Sequence, residues 1–231
     1  MSIVVTAGGE VEYPDSDGKR TAQHTLQSRW LALIYENLQA LYRTTPGVFV
    51  AASNLIYPVR GDPRVRTGPG VYVASGRPKH DRGSWKVWNE GGVFPQVVFE
   101  VLSHKSRPGM MARKLLFYER FGAEEYYEFD PFRACLNAYR RGRRGRFRLV
   151  RNPAGLVSRR LGVRLDLSGA DPAVFDPAGG RFLSFADLIA LRDRGGAEYR
   201  NYLATSRQAA ELVRLRDLCR AAGLDSDAPP A

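Results

Sequence analysis

The apolar positions of this chain change their spacing several times, and each change marks an element. From residue 23 to residue 43, Trp30, Leu31, Ile34, Leu38 and Leu41 recur at intervals of three or four, which predicts a helix with one buried face. Pro46-Gly47 ends it. Residues 48–57 are apolar at most positions and predict a strand, residues 71–74 a short one, and residues 94–103 a longer one. In that third strand, alternation sends Gln96, Val98, Glu100 and Leu102 to one face and Val97, Phe99 and Val101 to the other. Both faces are nearly all apolar, so the strand should be covered on both sides. The helical rhythm returns at Met111, Lys114, Leu115 and Tyr118 and stops at Gly122. Residues 125–130 predict the next strand, closed by Pro131.

The flanks are read the same way. Residues 1–13 look like an N-terminal strand, followed by a turn at 14–18. Residues 76–92 make a long polar loop holding Trp85 and Trp88, a length more often functional than idle. Residues 135–140 and 146–150 pair as a hairpin across Arg141-Gly142-Arg143-Arg144-Gly145, and strand-like text continues at 163–167. Ser184 and Asp187 form a capping box for a helix near 185–191, and a second helix covers roughly 198–222. Strands joined by crossover helices argue an α/β core. The expected division is a core domain over 1–192, a helical extension over 193–222 and a flexible tail over 223–231.

Composition narrows this picture. The 231 residues suffice for one large domain. Apolar content of 44% and charged content of 26% are those of a soluble globular protein, and no apolar run is long enough to span a membrane. The first residues lack the basic head and apolar stretch of a signal peptide. Cys135 and Cys219 are too few for a disulfide framework, so a reducing, cytoplasmic setting is expected. The net charge of +11 comes with thirty Arg against five Lys. It fits attraction to a polyanion such as nucleic acid, and equally an Arg-rich genome with a solubilising surface.

Candidate chemistry gathers around Glu100. A lone acid in a buried strand must be paired, protonated or bound to a metal. Lys114, on the inward stripe of the following helix, points back toward it. A buried carboxylate with a returning lysine is what metal-assisted phosphodiester cleavage requires. On the first helix Gln27 shares the core face, His24 lies near its edge and Glu36 is almost opposite, so Gln27 and His24 could reach a site at the sheet edge. For each, a helix-start residue bonded to backbone is the better expectation. Arg141, Arg143, Arg144 and Arg146 would project on the hairpin as a basic finger for phosphates or a merely solvated tip, and Lys86 with its neighbouring tryptophans could contact bases. Walker, Gly-x-Gly-x-x-Gly, Gly-x-Ser-x-Gly and His-Glu-x-x-His signatures are absent from the sequence.

The text at Pro69-Gly70-Val71-Tyr72-Val73, Pro95 to Ser103, Lys114 to Tyr118, Gly122 to Tyr127 and Asp130-Pro131 resembles the Uma-two family of restriction endonucleases, a branch of the PD-(D/E)XK nuclease superfamily. The resemblance implies a restriction-endonuclease-like mixed central sheet flanked by helices, with an antiparallel β extension and C-terminal helices. It implies DNA as partner and Mg²⁺, or Mn²⁺ in its place, as cofactor. Glu100 is implied as metal ligand. Lys114 would be the water-positioning group, with Leu102 in the usual strand slot of that lysine. The motif Asp maps onto Gly70, which offers no ligand, and Asp62 or Asp81 could substitute only by swinging in from a loop. Weak or absent cleavage with an intact fold is therefore expected. The alternative is a lapsed nuclease that binds DNA without cutting it. A homodimer through Leu212, Leu215 and Leu218 is a further expectation, set against packing of that helix on its own domain.

Overall fold

The computed structural model describes residues 10–16, 18, 24–169, 171–194 and 196–223. Most of the expected N-terminal strand falls on residues 1–9, outside that set, and residues 10–13 hold only an isolated bridge at Val11. The first helix, α1, is Thr25–Leu41. His24 caps it by accepting the Leu26 amide at Nδ1, 3.1 Å away. Ile34, Leu38 and Leu41 form its buried stripe.

The single strand expected over 48–57 is two. Ser53 adopts φ 62°, a left-handed backbone that breaks the ladder. It separates β1, Val48–Ala52, from β2, Leu55–Tyr57. β1 pairs antiparallel with β3, Val71–Ser75, whereas β2 pairs in parallel with β4, Ser84–Lys86. Much of the expected long loop is therefore ordered by β4 and a 3₁₀ turn at Val87–Glu90. Trp85 is fully buried, stacks on Phe49 at 5.4 Å and donates from Nε1 to Val93 O at 3.0 Å, so it anchors this segment.

Glu90 holds the same segment from below, accepting from Arg82 at 2.7 Å and from Arg77 at 3.1 Å. Burial alone would raise its carboxyl, but the two guanidinium hydrogen bonds outweigh it and the pKa lies below the ordinary 4.5. A lowered folded-state pKa gives stability present above the unfolded value and lost as pH falls through the folded one. The melting temperature of the wild type should therefore fall more steeply than that of Glu90→Gln between about pH 5 and about pH 3. Parallel curves for the two in thermal melts would show that the Arg82–Glu90–Arg77 cluster carries no acid-sensitive stability.

The core of the sheet is a β–α–β unit. β5, Val97–Val101, leads into α2, Pro108–Phe121, and returns as β6, Glu125–Asp130, parallel to β5 with Glu100 opposite Glu128. β7, Cys135–Arg141, and β8, Phe147–Leu149, form the expected hairpin on the far edge. The six-stranded order is β1-β3-β5-β6-β7-β8. One face packs on α1 through Val97, Phe99, Val101, Tyr127 and Phe129, and the other on α2 through Val98, Tyr126, Met111 and Tyr118. β9 (Leu156–Val157), β10 (Arg164–Asp166) and β11 (Ala173–Phe175) make a small antiparallel sheet whose Leu156, Leu165 and Val174 extend the α1-side core.

α3, Phe185–Asp193, begins at the expected Ser184–Asp187 capping box, and α4 is Ala197–Ala221. α4 docks on the α1-side core through Ala209 and Val213. Leu212, Leu215 and Leu218 are not the docking stripe and stay 43–54% exposed. No described helix is long and apolar enough to cross a membrane. The expected α/β architecture, a mixed central sheet with flanking helices, is the one observed.

Candidate functional site

Glu100 lies on the α2 face of the central strand and is 6% exposed. α2 carries Lys114 and Tyr118 four residues apart, hence on one side of the helix. Both side chains converge on the same oxygen. Lys114 Nζ donates to Glu100 Oε1 at 2.7 Å and the Tyr118 hydroxyl to the same atom at 2.8 Å, while Lys114 also donates to Gly68 O at 2.8 Å. Burial, then the charge of Glu100, pushes the Tyr118 phenol well above its usual range, so it remains a donor. Among the described residues nothing donates to Glu100 Oε2.

Gly70 sits where the resemblance places the missing acid. With Val71 opposite Phe99, it falls beside Glu100. A Cβ on Gly70 would stand 3.5 Å from Glu100 Cα, but only 2.7 Å from Phe99 O and 2.9 Å from Leu31 Cδ2. The backbones have closed up over this position, so it lacks space as well as a carboxylate. The loop acids do not fill the gap. Asp62 is engaged by its near neighbour Arg64 at 2.8 and 3.0 Å, and that hydrogen bonding holds its carboxyl below the usual range. Asp81 is exposed.

Sequence reasoning missed a second buried carboxylate, Glu128. It is the register partner of Glu100 on β6, shares its face and is 7% exposed. Its Oε2 accepts from Asn137 Nδ2 at 3.3 Å, and Asn137 is in turn its partner on β7. Glu100, Glu128 and Asn137 thus form a polar row across three strands. Tyr126, fully buried on the same face, presses its hydroxyl toward the pair; burial and the two charges raise its pKa far above the usual range. Strand alternation over residues 125–130 could have flagged Glu128, since it puts Tyr126 and Glu128 on one face.

The other candidates take different places. Gln27 Nε2 donates to Val101 O at 2.8 Å, so it secures the end of β5 next to Glu100. His24, besides capping α1, packs its ring against His104 and Phe132 at centroid distances of 5.4 and 4.8 Å. Lys86 Nζ lies 5.6 Å from the centre of the Tyr13 ring. Arg141 turns inward: its guanidinium donates to Ala123 O at 2.7 Å and also to Glu119 O, capping the C-terminal carbonyls of α2. Arg146 pairs with Glu119 at 2.7 Å. Arg143 and Arg144 are exposed and have no partner among the described residues.

The row fits a hard cation. Mg²⁺ takes oxygen ligands, keeps several waters and is commonly held by one or two carboxylates, which Glu100 and Glu128 provide. Lys114 balances only one of the two charges, and no described cation forms an ion pair with Glu128. Among the described residues there is no group of three or more His, Cys, Asp or Glu that could hold a metal, which speaks against a closed structural site.

A mixed sheet whose β–α–β crossover buries a carboxylate against a lysine places the protein in the α/β class. The chain is a member of the Uma2 family, described as "Putative restriction endonuclease", whose family model matches residues 7–169. That match ends before α3 and α4. Among solved structures it is similar to a protein of Anabaena variabilis ATCC 29413 titled a "putative nuclease belonging to DUF820", at 14% identity and a TM-score of 0.45, covering 62% of this chain and 78% of that one. No curated protein matches the chain.

Proposed function

We propose that this protein hydrolyses phosphodiester bonds in DNA with the help of one divalent cation, Mg²⁺ or Mn²⁺, at the row formed by Glu100 and Glu128. The observation that carries the reading is the pairing of Glu100 with Lys114 and Tyr118 beside a second buried carboxylate on the next strand. Glu100 and Glu128 would hold the ion. When bound, it lowers the pKa of its water and offsets charge developing on the phosphate. Tyr118 and Lys114 fix the Glu100 carboxylate in one rotamer. Lys114, 21% exposed at its side chain, also reaches the solvent side, where its ammonium can steer a water or a phosphate oxygen. Gln27 keeps the end of β5 in register.

The test is cleavage of supercoiled plasmid with Mg²⁺ or Mn²⁺ by wild type, Glu100→Gln and Glu128→Gln. Slow, metal-dependent cleavage is expected, lost in Glu100→Gln and reduced at least tenfold in Glu128→Gln. Equal cleavage by wild type and Glu100→Gln would reject the assignment.

A second reading, DNA binding without cleavage, draws on the exposed Arg143 and Arg144 at the hairpin tip and the net charge of +11. Each phosphate contact contributes about 0.9 to the slope of log K against log salt. Arg143→Ala/Arg144→Ala should therefore lower that slope by roughly 1–2. Arg141→Ala should leave the slope nearly unchanged and lower the melting temperature instead, because its guanidinium caps α2. The reverse pattern in fluorescence anisotropy and thermal melts would show Arg141 to be the phosphate contact.

A further inference from the structure

A pocket of about 430 Å³ opens on the opposite face of the sheet, at the other end of β6 from Glu128. Its walls come from three separate parts of the chain: Arg140 of β7, Asn152 and Ser158–Arg159 around β9, and Arg216 of α4. Arg216 lies beyond the residues that the family model matches, so the pocket is a composite of family core and C-terminal extension.

The three guanidiniums are not used up by the protein. Glu125, the register partner of Arg140, is the carboxylate closest to hand. Its oxygens already accept from the Tyr127 hydroxyl at 2.8 Å, the Arg159 amide at 2.7 Å and the Ser158 hydroxyl. Arg140 donates from Nη2 to Val157 O, but its Nε stands off at 3.9 Å from Glu125 and, although buried, has no hydrogen-bond partner. Asp217, next to Arg216 in sequence, pairs with Arg220 at 3.6 Å. The side chains of Arg159 and Arg216 are exposed, and Arg216 interacts with Asp217 through charge alone. Three arginines line the pocket and no carboxylate does; Glu125 interacts with Arg140 and Asp217 with Arg216.

The seat of Arg216 is specific. Its Nη1 lies 2.0 Å from where a Cβ on Gly162 would be, and Gly162 has φ +73°. A glycine there satisfies the left-handed backbone and leaves the space that the guanidinium occupies. Guanidiniums with donors to spare on the walls of a concave, polar site of this volume match a multiply charged oxyanion with many acceptor oxygens.

The geometry points to a phosphate-binding site here, formed by Arg140, Arg159 and Arg216 with Asn152, that takes the phosphate of a nucleotide or of a nucleic-acid strand. It is independent of the Glu100 row, which lies on the α2 face.

Calorimetric titration of the 231-residue chain with 5′-dAMP and with inorganic phosphate, and anisotropy with a labelled single-stranded DNA octamer, test it. Saturable binding of at least one probe is expected, weakened about tenfold or more in Arg216→Ala and in Arg159→Ala, and unchanged for 5′-dAMP in Arg143→Ala/Arg144→Ala. Loss confined to the octamer identifies a strand phosphate. Loss for 5′-dAMP as well identifies a free nucleotide. Both variants are surface changes, and melting temperatures within about 2 °C of wild type will confirm that the fold is kept. No saturable binding of any probe by the wild type, or undiminished binding in both arginine variants, overturns the site.

Discussion

Glu100→Ala should abolish metal-dependent cleavage and lower the melting temperature by roughly 6–12 °C. The size of the effect follows from what the carboxylate holds. Lys114 would keep only Gly68 O, and Tyr118, fully buried, would lose its acceptor. Removing one member of a buried ion pair costs about 3–5 kcal/mol because the other charge is left without compensation. Lys114 keeps some access to solvent, so the lower end, about 3 kcal/mol, applies, and for a domain of this size each kcal/mol moves the melting temperature by about 2–4 °C. The companion Glu100→Met/Lys114→Met removes both charges and should regain most of the stability with no activity. That split separates two roles of the pair. If Glu100→Ala melts with the wild type, the hydrogen bonds at Oε1 do not exist in solution.

Gly70→Asp should fail to restore a strong nuclease and should destabilise the fold by about 1–3 kcal/mol. The family resemblance alone makes this substitution the obvious repair, since it returns an acid to the motif position. The structure removes the room for it. A Cβ at 2.7 Å from Phe99 O meets backbone in the middle of the central strand, which cannot turn aside as a side chain could. Leu31→Ala/Gly70→Asp relieves the contact with Leu31 and leaves the one with Phe99, so it should recover only part of the loss. Cleavage by Gly70→Asp at a rate well above wild type, with an unchanged melting temperature, would show that β3 and β5 separate readily and that Glu128 does not serve as the second carboxylate.

Glu128 explains why the missing acid at position 70 does not close the question of function. Two carboxylates next to each other across a parallel ladder, with one ammonium between them and solvent, form an anionic row whatever position 70 holds. The row is held at both ends, by Lys114 and Tyr118 on one side and Asn137 on the other. It depends on sheet register, not on the motif order of the chain.

Periodicity alone determined a good deal about this protein. The α1 stripe, the doubly covered strand at Glu100, the inward Lys114–Tyr118 edge of α2, the arginine-rich hairpin and the Ser184 cap all follow from local spacing, because side-chain direction in a helix or strand is set by neighbours a few residues away. The meeting of Glu100 with Lys114 is local in the same sense, because the strand and the helix are consecutive. What only the tertiary structure decided are relations between segments far apart in the chain. The left-handed Ser53 divides one apolar run between two sheets, the buried Trp85 turns a supposed loop into a strand, and Arg141 turns from a hairpin tip to the end of α2. Register brings Glu128 beside Glu100 and closes β5 over Gly70, and the packing of α4 brings Arg216 to the pocket of Arg140 and Arg159. Spacing along a chain carries no information on which strand lies beside which or on how closely two backbones approach, and those two quantities fix where the charges of this protein gather.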